Sequence, residues 1–134
     1  MEKVESLLRR NAPQFNTIRT NRSIYDALHQ MQCENVDYLI IMEDHLFLGV
    51  FTEHRLAEKI VRHRDLEHAS VKEFMTDFLP VTTPDDSLQH CMQLMEQYNV
   101  RHLAVYEGIH FKGIVSSHAL MKQVLLKRRD IFSD

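Results

Sequence analysis

The sequence predicts an α/β fold: two tandem β-α-β-β-α repeats packed through their sheets into one module with pseudo-two-fold symmetry. The first observation behind this is an internal repeat, because the second half of the chain aligns with the first, without a gap, after a shift of 64 positions. The second is that each half carries the same order of extended and helical patterns. The third is that the predicted strands are strongly apolar, so other elements must cover them.

The repeat rests on identical residues at matching positions. The identical pairs include Ser23/Ser87, Met31/Met95, Asn35/Asn99, Leu39/Leu103, Glu43/Glu107, Phe47/Phe111, Gly49/Gly113 and His54/His118. Conservative pairs such as Ile41/Val105 and Thr52/Ser116 lie between them. Agreement of this length indicates two copies of one structural unit, and one such copy cannot bury its apolar face alone.

The first half of each repeat predicts a short strand followed by a helix. Extended pieces are expected near 17–19 and 81–83, and Ser23 and Ser87 are typical helix N-caps. Behind each serine, apolar residues recur with helical spacing: Ile24, Ala27, Leu28 and Met31 in the first repeat, and Leu88, Cys91, Met92 and Met95 in the second.

The second half of each repeat predicts a helix end, two strands and another helix. Asn35 and Asn99 stand where the first helices should stop, and asparagine tolerates the left-handed conformation needed there. Two strands joined by a four-residue polar turn are expected at 38–42 and 47–51, and again at 102–106 and 111–115. Thr52 and Ser116 would cap the second helices, whose apolar residues are Leu56, Ile60, Leu120, Val124 and Leu125.

Short segments flank and connect the repeats. The first twelve residues predict an amphipathic helix with Val4, Leu7 and Leu8 on one side. The predicted boundaries are an N-terminal helix at 1–12, repeat 1 at 13–63, a linker at 64–76, repeat 2 at 77–127 and a C-terminal tail at 128–134.

Composition and charge are those of an ordinary globular protein. Of the 134 residues, 44% are hydrophobic and 26% are charged, and the formal net charge is −3. This balance does not favour a nucleic-acid or membrane-surface partner. No apolar run approaches the ~20 residues of a membrane span, and Glu2 and Glu5 interrupt any signal-peptide core. We therefore expect a cytoplasmic protein without membrane insertion.

The motifs give little support to catalysis or metal binding. The sequence has no G-x-S-x-G elbow, P-loop or G-x-G-x-x-G, so no enzymatic activity is expected. Cys33 and Cys91 lie inside helical patterns and are predicted to be buried free thiols. No Cys/His cluster with ligand spacing is evident, and His63 and His68 are separated across a helix end, so no metal site is expected.

The ordered string of residues, found twice, resembles a known family. Its most typical parts are Val71-Lys72-Glu73-Phe74-Met75-Thr76, Pro84-Asp85-Asp86-Ser87, Asn99-Val100-Arg101-His102-Leu103-Ala104-Val105 and Phe111-Lys112-Gly113-Ile114-Val115-Ser116. Over roughly residues 14–126 the chain is similar to tandem CBS domains, also called a Bateman module. The resemblance implies a regulatory module that requires no cofactor, binds AMP, ADP, ATP or a related nucleotide in clefts between the repeats, and pairs into a homodimer.

In that family, nucleotide binding is associated with a motif at the end of the second strand. The motif runs Gly, two apolar residues, Ser or Thr, two variable residues and Asp. The glycine lets a ligand approach the backbone, the hydroxyl marks a helix N-terminus that favours phosphate, and the Asp accepts hydrogen bonds from ribose. This sequence has the glycines and hydroxyls, but Arg55 and Ala119 replace the two Asp residues.

Basic residues beside these motifs complete the candidate ligand site. The candidates are Gly49, Thr52, His54, Arg55, Arg101, His102, Gly113, Ser116 and His118. Arg55 is unfavourable in the first turn of a helix unless an anion lies nearby. The arginines could equally be solvated and the histidines could pack locally, while Thr52 and Ser116 would be needed as helix caps even with empty clefts.

Two hypotheses stay open at this point. One is a sensor of an anionic metabolite, and the resemblance favours it. The other is a repeat pair without ligand that serves dimerisation or partner binding, and the two missing Asp residues favour it. The methionines of the predicted helices (Met31, Met92, Met95 and Met121) fit either core positions or an adaptable contact surface.

Overall fold

The computed structural model describes residues 2–10, 16–62 and 65–132, which fall into two compact units. Of these, residues 16–62 and 65–78 form the repeat-1 unit, and residues 2–10 and 79–132 form the repeat-2 unit. His63 lies outside the described residues, so its place in the fold stays untested.

Both units are built from the predicted string of elements. In chain order these are α1 (Val4–Arg10), β1 (Thr17–Arg19), α2 (Ile24–Glu34), β2 (Tyr38–Glu43), β3 (Leu46–Thr52), α3 (Glu53–Ile60), a 3-10 helix (Val71–Phe74), β4 (Val81–Thr82), α4 (Leu88–Tyr98), β5 (His102–Glu107), β6 (His110–Ser116) and α5 (Ser117–Phe132). The α/β class and the β-α-β-β-α order of both repeats are confirmed.

Each repeat forms a three-stranded sheet with one parallel and one antiparallel pairing. The short first strand runs parallel to the second, which forms an antiparallel hairpin with the third. The register places Leu39 opposite Phe51 and Leu103 opposite Val115. All four side chains are buried, as expected for strands whose residues are almost continuously apolar.

The hairpins are tighter than the predicted four-residue turns. In repeat 1, Glu43 still pairs with Leu46, so only Asp44 and His45 form the turn. Asp44 adopts φ 55°, and Gly108 at the matching position of repeat 2 adopts φ 61°. Aspartate and glycine both tolerate this left-handed conformation, which allows the ladder to continue to the end of each hairpin.

The helix caps follow the sequence prediction. The Ser23 hydroxyl accepts a hydrogen bond from the backbone N–H of Asp26, and Ser87 does the same for His90, each at 3.0 Å. Asn35 ends α2 with φ 54° and Asn99 ends α4 with φ 51°. The side chain of Asp26, whose backbone N–H is capped by Ser23, forms an ion pair with Arg22. Its carboxylate lies 3.4 Å from Arg22 Nε.

The asparagine caps make a direct test of the helix ends. We expect Asn35→Ala to lower the free energy of unfolding by about 1 kcal/mol, because alanine keeps the Cβ that disfavours the left-handed conformation and lacks the short amide side chain that makes it tolerable in asparagine. Asn35→Gly removes that clash and is the matched control, expected to be neutral or stabilising. Urea denaturation measures both, and equal losses for the two variants would contradict the conformational explanation.

The core of the repeat-1 unit is completed by the 3-10 helix that follows the repeat. Val71 and Phe74 are fully buried there and join Ile24, Leu39 and Phe51 in one apolar cluster. The backbone is tied as well, since the Val71 N–H donates to the carbonyl of Arg22 at 2.9 Å. One repeat thus recruits residues beyond its own β-α-β-β-α string.

The core of the repeat-2 unit is completed in the same manner by α1. Val4 and Leu7 are buried in a cluster with Leu88, Cys91 and Leu103. The backbone N–H groups of α1 at positions 4 and 5 donate to carbonyls of the turn that precedes α4, at 2.9 and 3.0 Å. The predicted N-terminal amphipathic helix therefore packs within the protein.

Four predicted inward-facing residues are exposed. Cys33, predicted to be buried, is exposed, because it lies nine positions after Ile24 and α-helix geometry of about 100° per residue turns it to the opposite side. Ile60, Met92 and Leu125 are 40%, 42% and 59% exposed. Cys91 is fully buried as predicted, and its burial raises the pKa of the thiol.

A carboxylate holds the turn that leads into α4. Asp86 accepts hydrogen bonds from the Thr82 hydroxyl at 2.6 Å and from the Thr83 backbone N–H at 2.9 Å, and His90 Nε2 lies 4.0 Å away. These hydrogen bonds, that of Thr82 above all, hold the pKa of Asp86 below its ordinary value.

The stability contributed by Asp86 should depend on pH. We expect Asp86→Asn to destabilise the fold by about 1 kcal/mol at neutral pH through its weaker hydrogen bonds. A carboxyl group whose pKa is lowered by folding stabilises above its unfolded pKa of about 3.9, and the effect is lost as the pH falls through the folded pKa. The gap between the two proteins in urea denaturation should therefore shrink in acid. A gap that stays constant there would contradict the assignment.

Candidate functional site

The sheet register brings the predicted site residues to one end of each hairpin. Antiparallel pairing sets Tyr38 opposite Thr52 in repeat 1 and His102 opposite Ser116 in repeat 2. The second helix of each repeat starts immediately after these hydroxyl residues. The candidate residues therefore collect around a helix N-terminus in each unit, at the end of the sheet away from the hairpin turn.

In repeat 1, Thr52 acts as the cap of α3. Its hydroxyl accepts a hydrogen bond from the Arg55 backbone N–H at 3.0 Å. Glu53 and His54, the first two helical residues, precede that N–H, and helix N-termini leave such early N–H groups without intrahelical partners. The end of the helix is thus ordered by the protein itself and still carries donors that suit an anion.

Arg55 has an incomplete set of partners. Its Nε is shielded from solvent and has no hydrogen-bond acceptor among the described residues, although 37% of the side chain is exposed. Its Nη1 lies 3.7 Å from Glu58 Oε2, and His54 Nε2 lies 2.9 Å from Glu58 Oε1. The Glu58 carboxylate therefore pairs with both His54 and Arg55, the two basic candidates of repeat 1. The buried Nε–H of Arg55 is left without an acceptor among the described residues.

In repeat 2, Ser116 caps α5 as Thr52 caps α3. The Ser116 hydroxyl accepts from the backbone N–H of Ala119 at 3.1 Å, and the Ser117 N–H donates to the carbonyl of Arg101 at 2.8 Å. Ser116 is buried and His102 is half-buried, whereas the side chains of Arg101 and His118 are exposed. Ala119 offers no polar group at the position where repeat 1 has Arg55.

The two motif glycines serve different purposes. A Cβ at Gly49 would lie 2.5 Å from the carbonyl oxygen of Thr76, because Val50 and Thr76 exchange backbone hydrogen bonds of 3.0 and 2.8 Å. The predicted close approach at Gly49 is therefore made by the chain itself. Gly113 adopts φ 144°, a conformation that other residues rarely take.

The backbone contact at Gly49 predicts a stability effect. We expect Gly49→Ala to destabilise the protein by about 1–3 kcal/mol, because the new methyl group must push the Thr76 segment away from β3. Gly108→Asn is the matched control, since nothing lies within 4 Å of its Cβ position and Asn accepts a positive φ. Denaturant unfolding of the two variants checks the prediction. A loss for Gly49→Ala no larger than for the control would refute it.

Sequence reasoning missed three residues of this region. Asn16 is buried, donates through Nδ2 to the carbonyl of Tyr38 at 3.0 Å and accepts from the Ile40 N–H at 2.7 Å. Burial raises the pKa of the Tyr38 hydroxyl. Glu58 was overlooked although its spacing of four residues from His54 is a recognisable helix pair. Tyr38 could have been found by alignment with His102 of the other repeat.

Two further properties concern only the described part of the chain. No group of three or more His, Cys, Asp or Glu side chains in residues 2–10, 16–62 and 65–132 is placed to hold a metal ion. Within the same ranges, no helix has both the length and the apolar character needed to cross a membrane.

Comparison with known proteins gives consistent matches. Residues 71–126 match the family model of the CBS domain. The mitochondrial CBS domain-containing protein CBSX3 of Arabidopsis thaliana is 29% identical over 117 residues, which cover 83% of this chain and 57% of that protein. This chain thus corresponds to little more than half of that relative.

Solved structures match over almost the whole chain. A CBS-domain protein from Burkholderia ambifaria MC40-6 superposes with a TM-score of 0.84 at 27% identity, covering 93% of this chain and 95% of that one. The CBS domain pair of protein MJ0100, in complex with 5′-methylthioadenosine and S-adenosyl-L-methionine, gives a TM-score of 0.78 at 22% identity, covering 95% and 98%. This second likeness establishes the shared fold.

Proposed function

We propose that this chain, which matches the CBS-domain family model over residues 71–126 and folds as a pair of such repeats, senses an anionic, adenosine-type metabolite. CBS domain pairs are generally regulatory. The proposal is that ligand binding shifts the module between two states for which the ligand has different affinities, and that the chain performs no catalysis itself.

The observation that carries the proposal is the buried Nε of Arg55, which has no hydrogen-bond acceptor among the described residues. Leaving a buried donor of a charged group without an acceptor costs on the order of 1–3 kcal/mol. The Glu58 carboxylate pairs with Nη1 of this side chain, at 3.7 Å, and not with Nε. An anionic ligand at the α3 N-terminus would supply the missing acceptor and would also meet the first N–H groups of the helix, which lack intrahelical partners.

The position of Arg55 indicates which part of the ligand it would hold. Arginine only donates hydrogen bonds, so it cannot accept from ribose hydroxyls as the family's Asp does. It pairs well with phosphate or carboxylate oxygens, often through two parallel hydrogen bonds. We therefore expect repeat 1 to select the acidic group of its ligand, and the adenosine part to add less affinity than in members that keep the Asp.

The adenosine class itself is inferred from relatives. The MJ0100 domain pair was solved with two compounds that share the 5′-deoxyadenosyl group. The Gly-x-x-Thr and Gly-x-x-Ser motifs of this chain keep the glycine and the hydroxyl residue of the family's motif. We propose further that the protein is a cytoplasmic homodimer. Arg101, His102 and His118 remain candidate ligand-binding residues in this proposal.

A second candidate function is a repeat pair without ligand that mediates assembly. Ala119 offers no side-chain acceptor, and in repeat 1 the space beside Gly49 is filled by the Thr76 backbone. In α5, Met121 and Leu125 are 58% and 59% exposed, one helical turn apart. These features favour dimerisation or partner binding if no metabolite is found.

Comparing AMP with adenosine tests the sensor proposal. We expect AMP to raise the melting temperature by several degrees at 100 times its Kd, a stabilisation of about 2.7 kcal/mol. Arg55→Ala should weaken AMP binding about 10- to 100-fold while changing adenosine binding little, because only the charged hydrogen bonds are removed. Isothermal titration calorimetry measures both affinities.

A matched arginine variant and a wider panel make the outcome decisive. Arg19→Ala removes another repeat-1 arginine with no ion-pair partner among the described residues, and it should leave AMP affinity unchanged. If Arg19→Ala and Arg55→Ala weaken AMP binding equally, the loss of affinity comes from the lost positive charge in general. That result would overturn the specific role of Arg55. No stabilisation by AMP, ADP, ATP, S-adenosylmethionine or phosphate, in protein free of carried-over ligand, would favour the assembly module.

A further inference from the structure

A thiol and an imidazole lie side by side on the exposed face of α2. Cys33 Sγ and His29 Nε2, one helical turn apart, share a hydrogen bond of 3.5 Å, and both residues are exposed. Neither belongs to the candidate ligand site or to the apolar core of repeat 1. The helix brings two metal-binding donor atoms together without any contribution from loops, through a spacing of four residues that the expectation of no metal site did not take into account.

The distance between the two donors suits a zinc ion. In tetrahedral zinc sites the Zn–N bond is about 2.0–2.1 Å and the Zn–S bond about 2.3 Å. Two such bonds at the tetrahedral angle place the nitrogen and sulfur about 3.6 Å apart. The observed 3.5 Å therefore matches the separation that the ion would impose, so that binding requires little rearrangement.

The second repeat shows that the fold does not need this pair. After the shift of 64 positions, His29 corresponds to Gln93 and Cys33 to Gln97, both exposed on α4. The same helix position is therefore satisfied by ordinary polar residues. The thiol and imidazole are a property of repeat 1 alone, and packing does not account for them.

We propose that His29 and Cys33 form one half of a zinc site that a second copy of this chain completes. Structural zinc sites take four protein ligands, and the described residues place no third candidate ligand beside this pair. A two-fold axis through the ion would bring the same two donors from the other copy and give a Cys2His2 site. Its two thiolates balance the charge of the ion. The proposal is independent of ligand binding at Arg55.

Cobalt spectroscopy and mass measurement test the site in the reduced, metal-free full chain. We expect Co²⁺ to produce the thiolate charge-transfer band and the intense visible bands of tetrahedral coordination, saturating at one metal per two chains. Zinc should displace cobalt and remove these bands. Light scattering should show that the zinc-loaded species contains an even number of chains.

Variants taken from the other repeat keep the test interpretable. His29→Gln and Cys33→Gln install the residues that repeat 2 tolerates at these positions, so both should fold and both should lose the bands. His68→Ala, which removes another exposed histidine beside a carboxylate, should retain them. A monomer that binds one cobalt, a spectrum without thiolate character, or bands that persist in Cys33→Gln would overturn the proposal.

Discussion

In each repeat, the antiparallel pairing of the two long strands decides both which side chains enter the core and which residues meet at the candidate site. The register that sets Leu39 against Phe51 also sets Tyr38 against Thr52. A shift by one residue would turn every apolar side chain to the opposite face. Burial of the core therefore fixes where the helix N-terminus, its cap and Arg55 come to lie, and the site gains its order from packing that is unrelated to any ligand.

A repeat of this size does not cover its own sheet. In both units, a segment from outside the repeat packs against the sheet and completes the core. Val71 and Phe74 close the core of repeat 1, and Val4 and Leu7 close that of repeat 2. Backbone hydrogen bonds hold each segment against the turn before the first helix. In repeat 1 the continuation of that segment also pairs with β3, which explains why position 49 must be a glycine. The linker is therefore part of the folded unit, and a Cβ at position 49 would collide with it.

The sequence was sufficient for the element order, the caps and the repeat because these depend on local patterns. Ser23 and Asn35 could be placed from helix chemistry alone. The hairpin turns were predicted too long because their length was estimated from polarity, while the backbone ladder continues through polar residues. Cys33 was misplaced because counting apolar positions ignored its rotation to the far side of the helix. The missing acceptor of Arg55 could not be predicted, since it depends on how closely Glu58 approaches in three dimensions.

The two repeats also act as controls for each other, because the same fold has been built twice from different residues. Where both copies carry the same residue in the same role, as at Asn35 and Asn99, the fold supplies the reason. Where one copy has a reactive or charged group and the other a neutral one, the fold demands neither. Arg55 against Ala119 and Cys33 against Gln97 are differences of this second kind. Neither is needed for packing, and each leaves an exposed or incompletely partnered group on one repeat only. The ligand role proposed for Arg55 and the proposed zinc site therefore both depend on residues of repeat 1 that the second copy of the fold does without.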